Sequence, residues 1–108
     1  MPNWLIANTT AREALAANAE PYVQPFVSGS MRLVLYAPQK VDEQVPHTQD
    51  ELYVVTRGSG AFERNGERTA FTHGDAIFVP AGMTHRFVDF DDDFECWAVF
   101  WGPKGGEG

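Results

Sequence analysis

The sequence holds a single cysteine, Cys96, so no disulfide can form within the chain. Cys96 lies in an apolar, strand-like run and reads as a buried structural thiol rather than a reactive one. Positive charge is also scarce. Eight Lys and Arg stand against 15 Asp and Glu, a net charge of -7 that repels a phosphate backbone and argues against nucleic acid as a direct partner. No apolar run approaches the roughly 20 residues that cross a bilayer. The start, Met1-Pro2-Asn3-Trp4-Leu5-Ile6, lacks the basic end and long apolar stretch of a secretory leader. The expectation is a soluble, cytoplasmic chain with no membrane partner. There is no internal repeat, no helix-turn-helix segment, and no isolated general base or nucleophile.

What is present suits one globular domain. Hydrophobic residues make up 44% and aromatics 13% of 108 residues, enough for a packed core. A helix is expected over residues 9–19, where Thr10 and Glu13 have capping-box spacing ahead of an Ala-rich body. It stops before Pro21. Its one large apolar residue is Leu15, which places it on the outside of the fold. Pro21 and Pro25 make residues 21–26 an extended connector.

From Met31 onward the pattern is strand. Residues 31–36, 52–56, 61–64, 67–71, 76–79, 84–90 and 94–101 are rich in β-formers and separated by turn residues. Asn65-Gly66 marks a tight hairpin, since both central positions of a type I′ turn need positive φ. Asp42 and Glu43 form an acidic loop, Asp91-Asp92-Asp93 a solvated one, and residues 103–108 a tail of flexible composition. About seven short strands imply an all-β sandwich or barrel. The organisation expected is a helix and connector over residues 1–30, a barrel over 31–102 and the tail.

Two stretches carry the chemistry, Pro46-His47-Thr48-Gln49-Asp50-Glu51 and Pro80-Ala81-Gly82-Met83-Thr84-His85. Successive side chains alternate between the faces of a strand, so His47, Gln49, Glu51 and Tyr53 share one side. His85 opens a later strand. Two imidazoles and a carboxylate suit zinc, iron, manganese or nickel, with coordination positions left for water or substrate. Tyr53 and Phe87 share the faces of Glu51 and His85 and can line a cavity. Asp89 has the parity of His85 and can orient an imidazole or sit in solvent. His73 is given no role. Trp97 and Trp101 share a face of the last strand, suited to core packing or a subunit interface.

The spacing over residues 46–89 resembles the cupin superfamily. Its first motif is His-x-His, three or four residues, Glu, six residues, Gly; its second is Gly, five residues, Pro-x-Gly, two residues, His, three residues, Asn. Here His47 takes the place of the second histidine, Glu51 and Gly58 follow at matching spacing, and Gly74, Pro80, Gly82 and His85 fill the second motif. Val45 stands where the family's first histidine would, and Asp89 where its Asn would. The resemblance implies a jelly-roll barrel, the double-stranded β-helix, behind a short N-terminal helix. It also implies a divalent metal held by His47, Glu51 and His85, with the Gln49 amide oxygen as a candidate fourth ligand. The site is then either a two-histidine, one-carboxylate facial arrangement or a weakened one. Oxygenases, isomerases and decarboxylating enzymes acting on small molecules share this pattern, as do metal-free barrels that bind a small molecule or a partner. Proteins of this kind commonly pair, so a homodimer is expected.

Overall fold

The computed structural model describes residues 2–42 and 44–108; Met1 of the opening segment and Glu43 of the acidic loop lie outside the described residues. One helix, α1 (Asn8–Ala16), precedes eight strands: β1 (Tyr22–Ser28), β2 (Met31–Tyr36), β3 (Asp50–Arg57), β4 (Ser59–Arg64), β5 (Glu67–Thr72), β6 (Ala76–Val79), β7 (His85–Val88) and β8 (Glu95–Trp101). A five-stranded sheet in the order β1-β2-β8-β3-β6 faces a three-stranded sheet in the order β5-β4-β7. All pairings given for these strands are antiparallel. This is the all-β sandwich or barrel expected from the strand pattern, in the jelly-roll form that the resemblance implies.

Alternation decides what enters the core. On β3 the odd residues Glu51, Tyr53 and Val55 are buried, while Leu52 and Val54 are only partly so. Cys96 and Ala98 of β8 point the same way, and from the opposite sheet Phe62, Phe71 and Phe87 complete the packing. Trp97 and Trp101 have the other parity and lie on the outer face, half-buried, which removes the core role from both. Phe87 stands at the centre of an aromatic cluster, with ring centroids 4.6 Å from Phe94, 4.8 Å from Tyr53 and 4.8 Å from Phe62. Burial pushes the Cys96 thiol well above its ordinary value, as expected of an inert cysteine.

The hairpin turn forms as expected, Asn65 and Gly66 having φ of 49° and 85° between the paired Arg64 and Glu67. Glycine is required at Gly60, where an added Cβ would come within 2.7 Å of the Phe90 backbone.

Three expectations are corrected. The supposed connector is the edge strand β1, and Pro25 is tolerated because it falls where the β1–β2 register shifts between Val23 and Phe26. The Thr10–Glu13 capping box does not form: the helix begins at Asn8, its N-cap is Ala7, and no side chain caps it. The tail is held down, with the Gly105 N–H donating to the Thr48 carbonyl (2.8 Å) and the Glu107 N–H to the Asp50 carboxylate (3.1 Å).

The helix is instead fixed by long-range contacts. Arg12 donates to the buried Glu95 through Nε (2.8 Å) and Nη2 (3.0 Å), and Asn8 and Thr56 donate to the same carboxylate. Burial alone would raise the Glu95 pKa, but these donors outweigh it and hold the carboxyl below its usual range. Arg12→Ala removes two charge-assisted bonds from a buried carboxylate. We expect a loss of about 2 kcal/mol, measured as a lower urea midpoint.

Candidate metal centre

Three elements deliver the site. His47 sits in the loop before β3, Glu51 is the second residue of β3, and His85 is the first of β7, so the two sheets meet at this point. Glu51 lies between Phe100 of β8 and Val79 of β6, which fixes its inward direction. The two motif stretches are stitched together by backbone: the Gly82 N–H donates to the His47 carbonyl (2.8 Å), and the Ala81 N–H to the Asp50 carboxylate (2.9 Å). Gly82 has φ of 79°, a left-handed turn that glycine adopts without strain.

His47 Nε2 is 2.6 Å from Glu51 Oε1, and His85 Nε2 is 3.6 Å from the same oxygen. The three ligand atoms lie within 4.8 Å of one another. The two closer separations bracket the roughly 3 Å between neighbouring ligand atoms around an ion bound at about 2.0–2.2 Å. Glu51 and His85 are buried, at 1% and 3% exposure. Both rings are turned by backbone: His47 Nδ1 lies 2.7 Å from the Gln49 carbonyl, His85 Nδ1 2.8 Å from the Met83 carbonyl. Each Nδ1 therefore carries the proton and each Nε2 presents a lone pair inward, as in most imidazole metal ligands.

His47 Nε2 and Glu51 Oε1, 2.6 Å apart, are buried polar atoms for which no hydrogen-bond donor is found among the described residues. Unpaired buried acceptors are costly. A divalent cation satisfies both at once, so the residues present fit a metal.

The electrostatics agree. Burial works against protonation of His47, yet the adjacent Glu51 carboxylate outweighs it and holds the imidazole above its ordinary value. Burial of Glu51 is likewise overcome by the two histidines, which keep the carboxyl below its usual range. Desolvation pushes the Tyr53 phenol well above its ordinary value, so it stays protonated and donates to Gln44 Oε1 at 2.6 Å.

The other candidates behave differently. Gln49 spends its amide elsewhere: its oxygen accepts from Arg32 (3.2 Å), and its nitrogen donates to the Gly102 (2.9 Å) and Ser30 (3.2 Å) carbonyls. Asp89 has φ of 50° and pairs with Arg68 at the surface, so it orients neither imidazole. His73 is exposed. Gln44 was missed by sequence reasoning. Its Oε1 lies 3.3 Å from His85 Nε2, and its side chain is tied to the buried Asp42, which also accepts from the Phe87 N–H (2.8 Å) and the Tyr36 hydroxyl. Its only signal was adjacency to Val45.

Val45 itself is 75% exposed, so the backbone turns that position to solvent and Gln44 inward. Val45→His is therefore expected to leave metal affinity within about twofold of wild type, whereas Gln44→His adds an imidazole at the site and tightens binding at least tenfold, on the order of one good ligand's contribution. Competition against a fluorescent chelator measures both. The opposite ranking would show that the loop is in another register.

The model of the cupin domain family matches residues 32–100. An uncharacterized protein of Streptomyces coelicolor is 36% identical over 91 residues, which cover 82% of this chain and 87% of that one. Among solved structures, KdgF from Halomonas sp. superposes with a TM-score of 0.68 at 20% identity, covering 81% of this chain and 86% of that one. A cupin 2 conserved barrel domain protein from Salinispora arenicola does so with a TM-score of 0.66 at 22% identity, covering 81% and 83%. At such identities these two likenesses speak for the fold.

Proposed function

The chain belongs to the cupin domain family, and from that premise we propose that it is a mononuclear divalent-metal protein acting on, or binding, a small molecule in its barrel. His47 Nε2, His85 Nε2 and Glu51 Oε1 are the ligands. The observation that carries this reading is the pair of buried acceptors, His47 Nε2 and Glu51 Oε1, without a hydrogen-bond partner among the described residues and close to His85. A metal held by three protein groups keeps positions open for a small ligand and supplies Lewis-acid or redox chemistry there.

The chain's own residues prepare the site. The Gln49 and Met83 carbonyls hold the ring tautomers, Tyr53 and Gln44 present a hydroxyl and an amide beside His85, and Phe100 screens one edge of His47 with ring centroids 5.1 Å apart. Zinc, iron, manganese and nickel all suit two imidazoles and a carboxylate.

A second reading, a metal-free binding barrel, draws on the 2.6 Å approach of His47 to Glu51, which a protonated imidazole turns into a self-contained ion pair. Elemental analysis of protein purified without added metal, and after reconstitution with each of the four ions, separates the two. The proposal expects one equivalent of a transition metal per chain. Protein that stays empty after every reconstitution supports the second reading and ends the first.

A further inference from the structure

The cleft beside the site is wide, about 1200 Å³, and Glu51, Gln44, Tyr36, Phe100, Gln24 and Arg32 all line it. Arg32 differs from the other arginines with side-chain partners. Arg12 is neutralised by Glu95, Arg68 by Asp89 and Glu63, and Arg86 by Glu63. Arg32 instead touches only neutral groups among the described residues. Its Nη2 donates to the Gln49 amide oxygen at 3.2 Å, its Nη1 to the Gln24 amide oxygen at 3.4 Å, and its guanidinium carbon sits 4.4 Å above the centre of the Phe100 ring. A cation–π contact with an aromatic ring and two amide contacts hold the guanidinium while no carboxylate among the described residues compensates its charge. In a chain with a net charge of -7, a half-buried cation so arranged is conspicuous.

The same Phe100 ring meets His47 edge-on at 5.1 Å between centroids. The two distances taken end to end place the guanidinium carbon within about 9.5 Å of the His47 ring centre. One small molecule can span that gap. We propose that Arg32 anchors the carboxylate of a small organic acid whose other oxygen-bearing end lies at the His47–Glu51–His85 centre. This names the substrate class for the metal site and rests on that reading. The guanidinium's planar fork matches a carboxylate in two-pronged fashion, and the amide contacts tether it at the cleft wall. Gln49, retained on the ligand face yet turned from the metal, acquires a role as the residue that positions Arg32.

The test uses the full chain loaded with cobalt(II), whose visible absorption reports the metal site independently of any activity. Calorimetry then measures binding of malate and 2-oxoglutarate, with dimethyl malate as the uncharged control. The wild type is expected to bind at least one acid at least tenfold more tightly than Arg32→Gln does, an effect on the order of one charge-assisted pair. Arg32→Lys is expected to fall between, having the charge without the fork, and the ester is expected to bind all three proteins equally weakly. Unchanged cobalt absorption in both variants certifies that the fold and the metal site are intact. Normal absorption with equal acid affinity in wild type and Arg32→Gln overturns the anchor, as does failure of the wild type to bind either acid. Absence of cobalt absorption in the wild type overturns the metal reading instead, and the malate comparison then still judges Arg32 on its own.

Discussion

His85→Ala and Glu51→Gln are each expected to be purified with less than a tenth of the metal that the wild type retains. Loss of an outer-sphere partner alone typically costs 10–100-fold in metal affinity, so loss of a direct ligand costs at least that much. Among the described residues, the other donors that the sequence offers near the site are engaged elsewhere. The Gln49 amide oxygen is committed to Arg32, Asp89 is at the surface with Arg68, and Tyr53 is a protonated phenol bonded to Gln44. The loss also appears as stability. A metal present at about 100 times its dissociation constant stabilises the folded chain by about 2.7 kcal/mol, which raises Tm by roughly 10–20 °C in a domain of this size. Wild type should show that rise on adding metal, and both variants should lose most of it. A full metal-induced rise in either variant would place the ion elsewhere.

The second large effect is a reversal of pH dependence between metal-free and metal-bound protein. In the metal-free chain, His47 titrates above the ordinary 6.5 because of Glu51. A folded pKa raised above the unfolded one gives stability that is fully present below 6.5 and is lost as pH rises through the folded value. Glu51 lies below the ordinary 4.5, so its contribution is present above 4.5 and is lost as pH falls through its folded value. Between them, the pair favours the metal-free fold most between about 4.5 and 6.5. Metal demands the opposite, because only a neutral imidazole coordinates. Below the raised pKa of His47, one competing proton weakens metal binding about tenfold per pH unit. Thermal melts from pH 5 to 9 should show the metal-free Tm falling toward high pH while the metal-induced increment grows. His47→Ala should flatten the first trend. Parallel curves for both forms would show that His47 is not a ligand.

Much of this site could be read from the chain because its logic is local. The boundaries of β2 and β6 follow from short β-former runs closed by turn residues, and the Asn65-Gly66 hairpin from its need for positive φ. The convergence of His47, Glu51 and His85 followed from parity and motif spacing, since Glu51 and His85 open strands of facing sheets and His47 lies in the loop leading into β3. The failures share a cause, which is that tertiary partners outvoted local pattern. Thr10 and Glu13 have capping-box spacing, but Arg12 and Asn8 reach across to Glu95 and set the helix start at Asn8. Pro25 looks incompatible with a strand until β1 proves to be an edge with a register shift beside it. Gln49 has the parity of a ligand, yet Arg32 on a different strand claims its amide oxygen. Gln44 sits in a loop whose register is set by the buried Asp42, and no periodicity predicts which of two adjacent loop residues turns inward.

The most direct test is diffraction from crystals of the reconstituted protein, recorded on either side of the absorption edge of the bound metal. The account predicts a single anomalous peak per chain within bonding distance of Nε2 of His47, Nε2 of His85 and a carboxylate oxygen of Glu51. A peak elsewhere, such as among Asp91, Asp92 and Asp93, or none between the two sheets at saturating metal, would contradict it.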